Sequence, residues 1–122
     1  MNTPVRSLVP LASVADVERS IRFYERLGFR VRNTFTPEGS PSPGWASLEA
    51  GGAELMLGRT ETPVPSTPSV LFYVYCDDVD VARSEIVAAG VEAGPISRPF
   101  YAPRGEFRVV DPDGYVLMFT HT

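Results

Sequence analysis

A chain of 122 residues, 43% of them apolar, is one domain, able to bury roughly two-thirds of the surface that its unfolded form exposes, so folding requires neither disulfide nor metal. Its net charge of −4 comes with no basic stripe to track a phosphate backbone, which argues against a nucleic-acid partner. No apolar run is long enough for a membrane span or a secretory signal, so no membrane partner and a cytoplasmic location are expected. The lone Cys76 has no second thiol to pair with and is expected to be a buried spectator in a reducing compartment.

In chain order, Ser7 to Val14 is short and apolar and reads as a strand entering a helix capped at Asp16. Val17, Ile21, Tyr24 and Leu27 recur at helical spacing, and Gly28 stands where a left-handed cap ends the helix. Phe29 to Phe35 resumes as a strand. Three prolines and two glycines in residues 36–44 make a loop, either an exposed connector or a lid over a pocket. Trp45 to Glu49 and Ala53 to Leu57 surround Ala50-Gly-Gly52 and predict a hairpin.

After a connector at 62–68 the order repeats. Ser69 to Cys76 reads as a strand and Asp78 as a helix cap, with Val79, Ala82, Ile86 and Ala89 as the apolar stripe ending at Gly90. Asp16 and Asp78, Val17 and Val79, and Gly28 and Gly90 all keep one offset of 62 residues. The strand predicted at Val91 to Ser97 matches Phe29 to Phe35. Glu106 to Val110 and Tyr115 to Phe119 flank Asp111-Pro-Asp-Gly114, where proline fixes φ and glycine supplies φ > 0, and so predict a closing hairpin. The expectation is one α+β domain of two tandem β-α-β-β-β modules, about 5–61 and 69–122, forming curved sheets around a cavity with the helices outside.

The run Ala15-Asp-Val-Glu-Arg-Ser-Ile-Arg-Phe-Tyr-Glu-Arg-Leu-Gly-Phe29 resembles the first-helix signature of the vicinal oxygen chelate superfamily, which includes glyoxalase I, extradiol dioxygenases and bleomycin-resistance proteins. Arg104 to Gly114 resembles its closing hairpin. Metal-dependent members carry His, Gln or Glu at four converging positions, which here correspond to Val9, Met56, Leu71 and Met118. None offers a hard donor, so the resemblance implies a chain with no metal and no cofactor, closest to the bleomycin-resistance branch. It further implies a homodimer in which each cavity is built from two chains.

With those four positions turned inward, strand alternation places Trp45, Ser47, Glu49, Glu54, Met56, Tyr73, Tyr75 and Met118 on the cavity face, together with Leu11 and Thr120. Aromatics, methionines and two carboxylates suit a bulky aromatic or cationic small-molecule ligand. No nucleophile triad, paired general acids or phosphate-cradling loop can be assembled, so no catalytic residue is assigned. Two functions remain open: a binding protein that sequesters its ligand, and a metal-free lyase, isomerase or hydrolase in which Glu49, Glu54 or Tyr73 moves a proton.

Overall fold

The computed structural model describes residues 6–62 and 70–122, so the connector expected at 62–68 lies outside the described residues except for Thr62. The elements are β1 (Leu11–Val14), α1 (Val17–Arg26), β2 (Arg30–Phe35), β3 (Trp45–Ala50), β4 (Ala53–Arg59), β5 (Leu71–Tyr75), α2 (Val79–Ala88), β6 (Phe107–Val110) and β7 (Val116–Thr120). They make an α+β fold with two sheets, ordered β1-β4-β3-β2 and β5-β7-β6, and no closed barrel. Among the described residues no helix is long and apolar enough to cross a membrane.

The 62-residue repeat governs the geometry. Asp16 caps α1 by accepting from the Arg19 N–H, and Asp78 caps α2 by accepting from the Val81 N–H, both at 3.0 Å. Such a cap typically contributes about 1 kcal/mol. Both helices end before a glycine with φ in the left-handed region, 97° at Gly28 and 85° at Gly90, where a missing Cβ removes the steric cost. The first strand of each module then pairs in parallel with its last, Leu11 opposite Met56 and Tyr73 opposite Met118. Each pair is the other displaced by 62 positions, so the repeat reaches into the hydrogen-bond register.

Alternation sorts the strands as expected. Ala12, Val14, Leu48, Leu55, Leu57, Leu117 and Phe119 are buried in one core with Val17, Phe23 and Tyr24 of α1 and Val79 and Ile86 of α2. Phe72 and Val74 pack against it, half-buried.

Two elements differ from expectation. Residues 91–97 do not form a strand: Ser97 makes an isolated bridge with Glu106, and the Gly94 N–H donates to the Arg108 carbonyl at 2.9 Å. Pro95 lies between them and has no N–H to give. Arg83 of α2 instead holds the segment, donating to the Gly94 and Ala93 carbonyls at 2.7 and 3.0 Å. β1 is also shorter than Ser7 to Val14. Pro10 ahead of it accepts from the Met56 N–H at 2.9 Å but has no N–H to return.

The turn between β6 and β7 ties the second module to the first. Asp111 Oδ1 accepts the Asp113 and Tyr115 backbone N–H groups, each at 2.9 Å, which shapes the turn. Asp111 Oδ2 accepts the Tyr24 hydroxyl at 2.8 Å. Asp113 accepts from the Ala15 N–H at 3.0 Å and the Ser20 hydroxyl at 3.3 Å, and pairs with Arg19 at 3.3 Å. Tyr115 completes the seam by donating its hydroxyl to the Ser13 carbonyl at 3.0 Å. Ser20, fully buried on α1, is thereby satisfied.

Burial pushes the Asp111 carboxyl above its ordinary value although its hydrogen bonds pull it down, and burial followed by the Asp111 charge pushes the Tyr24 phenol far up. A carboxyl raised on folding stabilises fully below its unfolded pKa, near 3.8, and loses that contribution as pH rises through the folded value. Tyr24→Phe leaves a buried carboxylate oxygen without its donor, so it should cost about 1–3 kcal/mol at neutral pH. Because that donor also lowers the Asp111 pKa, the deficit should shrink as pH falls towards the unfolded value. Denaturant titrations of both proteins across this range measure it, and a deficit constant with pH would contradict the assignment.

Candidate functional site

The candidate residues lie on the sheet faces turned away from the helices. On β3 and β4, Trp45, Ser47, Glu49, Glu54 and Met56 alternate with the core residues. Cross-strand register sets Leu11, Met56, Ser47 and Asn33 in one row and Gly58, Trp45 and Phe35 in the next. Gly58 leaves room for Leu11, whose Cδ2 would stand 3.2 Å from any Cβ added there. At the far end Glu49 and Glu54 oppose each other, a like-charge pairing that is unfavourable alone.

Two arginines of β2 offset that repulsion. Arg30 Nε donates to Glu49 Oε1 at 2.9 Å and Arg32 Nη1 to Glu54 Oε1 at 2.7 Å, with Arg32 Nε 3.4 Å from the second Glu49 oxygen. Arg32 sits at the register shift between Val31 and Asn33, where it has no opposite residue and can reach both carboxylates. The two acids read as a counter-charge for a cationic ligand are thus already matched within the chain.

On the second sheet, Tyr73, Met118 and Arg108 form one row and Tyr75 and Thr120 the next. The Tyr73 and Tyr75 rings stack with centroids 6.3 Å apart. Thr120 is buried and donates its hydroxyl to the Gly105 carbonyl at 3.2 Å. Strand parity extends this row to Glu106, which the sequence analysis placed only at the start of a strand of the closing hairpin. Glu106 is 7% exposed; its Oε1 accepts the Tyr101 hydroxyl at 2.9 Å and its Oε2 is buried without a partner among the described residues. That bond raises the Tyr101 phenol pKa. The available signal was a carboxylate alternating with Arg108 on the inner face, five residues after Tyr101.

The chain alone does not bring the two faces together. A cleft of about 970 Å³ opens between the C-terminal end of α1, the β3–β4 turn, β5 and the middle of α2, and of the eight candidates it contains only Tyr73 and Tyr75. Elsewhere the faces are open, with Leu11 52% and Phe35 61% exposed. Cys76 lines the cleft half-buried and donates its thiol to the Thr120 carbonyl at 3.3 Å. Burial, then Asp77 and Asp78, push that thiol up, which disfavours the reactive thiolate. The 36–44 loop borders a small cleft with residues 15–18 at the start of α1.

The sequence model of the Glyoxalase/Bleomycin resistance protein/Dioxygenase superfamily matches residues 8–119. The chain belongs to this superfamily. Its fold is shared by the bleomycin resistance determinant encoded on transposon Tn5, at 20% identity over 97% of this chain and 98% of that one, with a TM-score of 0.78. The bleomycin-binding protein of bleomycin-producing Streptomyces verticillus, solved with copper(II)-bleomycin, has 22% identity over 99% of both chains and a TM-score of 0.76. TnmS3, an antibiotic-binding protein from Streptomyces sp. CB03234, has 23% identity over 98% of both and a TM-score of 0.70. No curated protein sequence matches the chain.

The metal-dependent branch of the superfamily finds no fit here. Val9, Leu71, Met56 and Met118 provide two alkyl chains and two thioethers, and a hard divalent ion needs oxygen or imidazole donors. Among the described residues no three of His, Cys, Asp and Glu gather as a ligand set.

Gly105 controls how the preceding loop approaches this face. Its φ is 106°, and a Cβ there would stand 2.7 Å from Ile96 Cγ2. Gly105→Ala should therefore cost about 2–4 kcal/mol through backbone strain and overpacking. Chemical denaturation reads this directly, and a loss under about 1 kcal/mol would show the loop to be more yielding than the packing implies.

Proposed function

We propose that the protein is a metal-free homodimer that binds and sequesters a bulky aromatic or cationic small molecule, the mode of action of bleomycin-type antibiotic resistance. The carrying observation is the pair of open, partly apolar sheet faces, one with Trp45, Ser47 and Met56, the other with Tyr73, Tyr75 and Met118. Large apolar residues left this exposed favour burial against a partner or ligand. Two chains related by a twofold axis, each facing its first sheet to the other's second, would enclose two equivalent cavities. The antibiotic-binding proteins of the same fold support this reading at the level of the superfamily. Glu49 and Glu54, held by Arg30 and Arg32, then serve as a rigid polar edge to the cavity.

One observation favours a second reading. Tyr101 and Glu106 converge at 2.9 Å, a pair of titratable groups of the kind a metal-free lyase, isomerase or hydrolase would use to move a proton.

Light scattering at micromolar concentration should give the mass of a dimer. Bleomycin should change the fluorescence of Trp45, the only tryptophan, saturating at one molecule per chain, and should be recovered chemically unchanged. At 100 times the dissociation constant it should stabilise the fold by about 2.7 kcal/mol. A monomeric mass would refute the shared cavity, and an altered compound would favour the enzyme. If bleomycin and a panel of cationic aromatic antibiotics all left Trp45 and the melting temperature unmoved, the binding reading would fail.

A further inference from the structure

We infer that Arg108 on β6 binds a carboxylate carried on a flat aromatic ligand; this rests on the reading of the second sheet's open face as a ligand-binding surface. Phe107 and Val109 turn into the core, so Arg108 stands exposed on the opposite face. There it shares a row with Met118 and Tyr73. On its other flank lies Gly94, whose N–H donates to the Arg108 carbonyl at 2.9 Å and where any added Cβ would stand 3.9 Å from the Arg108 Cβ. The absent side chain leaves that flank uncovered, and a ligand reaches the guanidinium directly from solvent.

The charges of the two inner faces single this arginine out. Arg30 and Arg32 hold Glu49 and Glu54. Glu106, two residues before Arg108 on the same face, does not neutralise it: Glu106 is buried, its Oε1 accepts the Tyr101 hydroxyl, and its Oε2 accepts from no group among the described residues, Arg108 included. Among the described residues the Arg108 guanidinium thus has neither an ion pair nor a hydrogen bond. It stays charged at any physiological pH, and covering it without a counter-charge is costly. The three acids of these faces are already committed or buried, so the anion comes with the ligand.

The surroundings set the shape of that ligand. A guanidinium presents a planar fork that meets both oxygens of a carboxylate. Tyr73 lies two strands away across Met118, roughly 9.5 Å at ordinary strand spacing, and its ring stacks with that of Tyr75, centroids 6.3 Å apart. An aromatic acid with its carboxylate on Arg108 therefore lays its rings over the Met118 thioether and brings their far edge to the tyrosines. A fused bicyclic acid spans this distance better than a single ring.

The compounds 2-naphthoate and 2-naphthamide, close in shape but different in charge, test this by calorimetry at low ionic strength. Wild-type protein should bind 2-naphthoate about tenfold or more tightly than 2-naphthamide, the margin of a charge-assisted bond. Arg108→Gln should remove that preference by weakening 2-naphthoate alone, and should melt with wild type because the side chain it replaces is exposed and makes no bond. Tyr73→Ala should weaken both compounds alike and keep the preference. A structural role for Arg108 would instead lower the melting temperature and weaken both compounds together.

The inference is overturned if 2-naphthoate does not bind, if 2-naphthamide binds as tightly, or if Arg108→Gln leaves the preference in place. Loss of the dimer in light scattering on Arg108→Gln also overturns it, by assigning the guanidinium to an acid of the second copy. Tyr73→Ala without effect on either compound overturns the placement of the rings. Failure here with bleomycin still moving Trp45 fluorescence leaves the binding function standing. Failure of both removes the cavity itself.

Discussion

The hydrogen bond from Tyr24 to Asp111 is the constraint on which the rest of the structure depends. Among the described residues each module pairs its strands within its own sheet, so strand pairing there does not fix how the two sit together. The β6–β7 turn does so by giving both aspartates to α1: Asp111 takes a buried phenol, and Asp113 takes a backbone N–H, a hydroxyl and an arginine from the first turns of the helix. Long-range bonds of this kind stabilise only in geometries where all partners are met, because a half-made buried network costs more than none. The seam therefore selects one arrangement of the modules, and that arrangement leaves the sheet surfaces turned away from the helices open.

The open faces follow from how each helix packs. In each module the helix covers one side of its sheet and leaves the other bare, and the 62-residue repeat reproduces this arrangement down to the pairs Leu11 with Met56 and Tyr73 with Met118. The four positions that converge in metal-binding members of the superfamily, Val9, Met56, Leu71 and Met118, are apolar here. Charge is displaced to the margins. Glu49 and Glu54 are neutralised at one margin by Arg30 and Arg32, and at another the Glu106 Oε2 has no partner among the described residues.

Much of this was legible in the sequence because it is local or periodic. Helix caps at Asp16 and Asp78, the terminating Gly28 and Gly90, the alternation in β3 and β4 and the hairpin glycines each act within a few residues. What escaped was set by distant partners. Tyr24 and Asp111 are 87 residues apart, and no pattern in either stretch announces the bond. The pairing of Glu49 and Glu54 depends on a register irregularity in β2 that puts Arg32 within reach of both. The strand expected at 91–97 was carried by the 62-residue offset, yet Pro95 interrupts the ladder and Arg83 supplies an alternative. Glu106 became conspicuous only once the loop ahead of Gly105 was seen to bury it.

A cavity divided between two chains can be tested by complementation. Trp45→Ala disables the first sheet's face and a Tyr73→Ala, Tyr75→Ala double variant disables the second's, so each protein alone should lose bleomycin binding. In a mixed dimer one cavity inherits both damaged faces and the other both intact ones. Unfolding and refolding the two variants together should thus restore binding to about one site per mixed dimer. If the cavity were formed within a single chain, every chain in the mixture would carry a damaged wall, and binding no better than that of the separate variants would contradict the shared cavity.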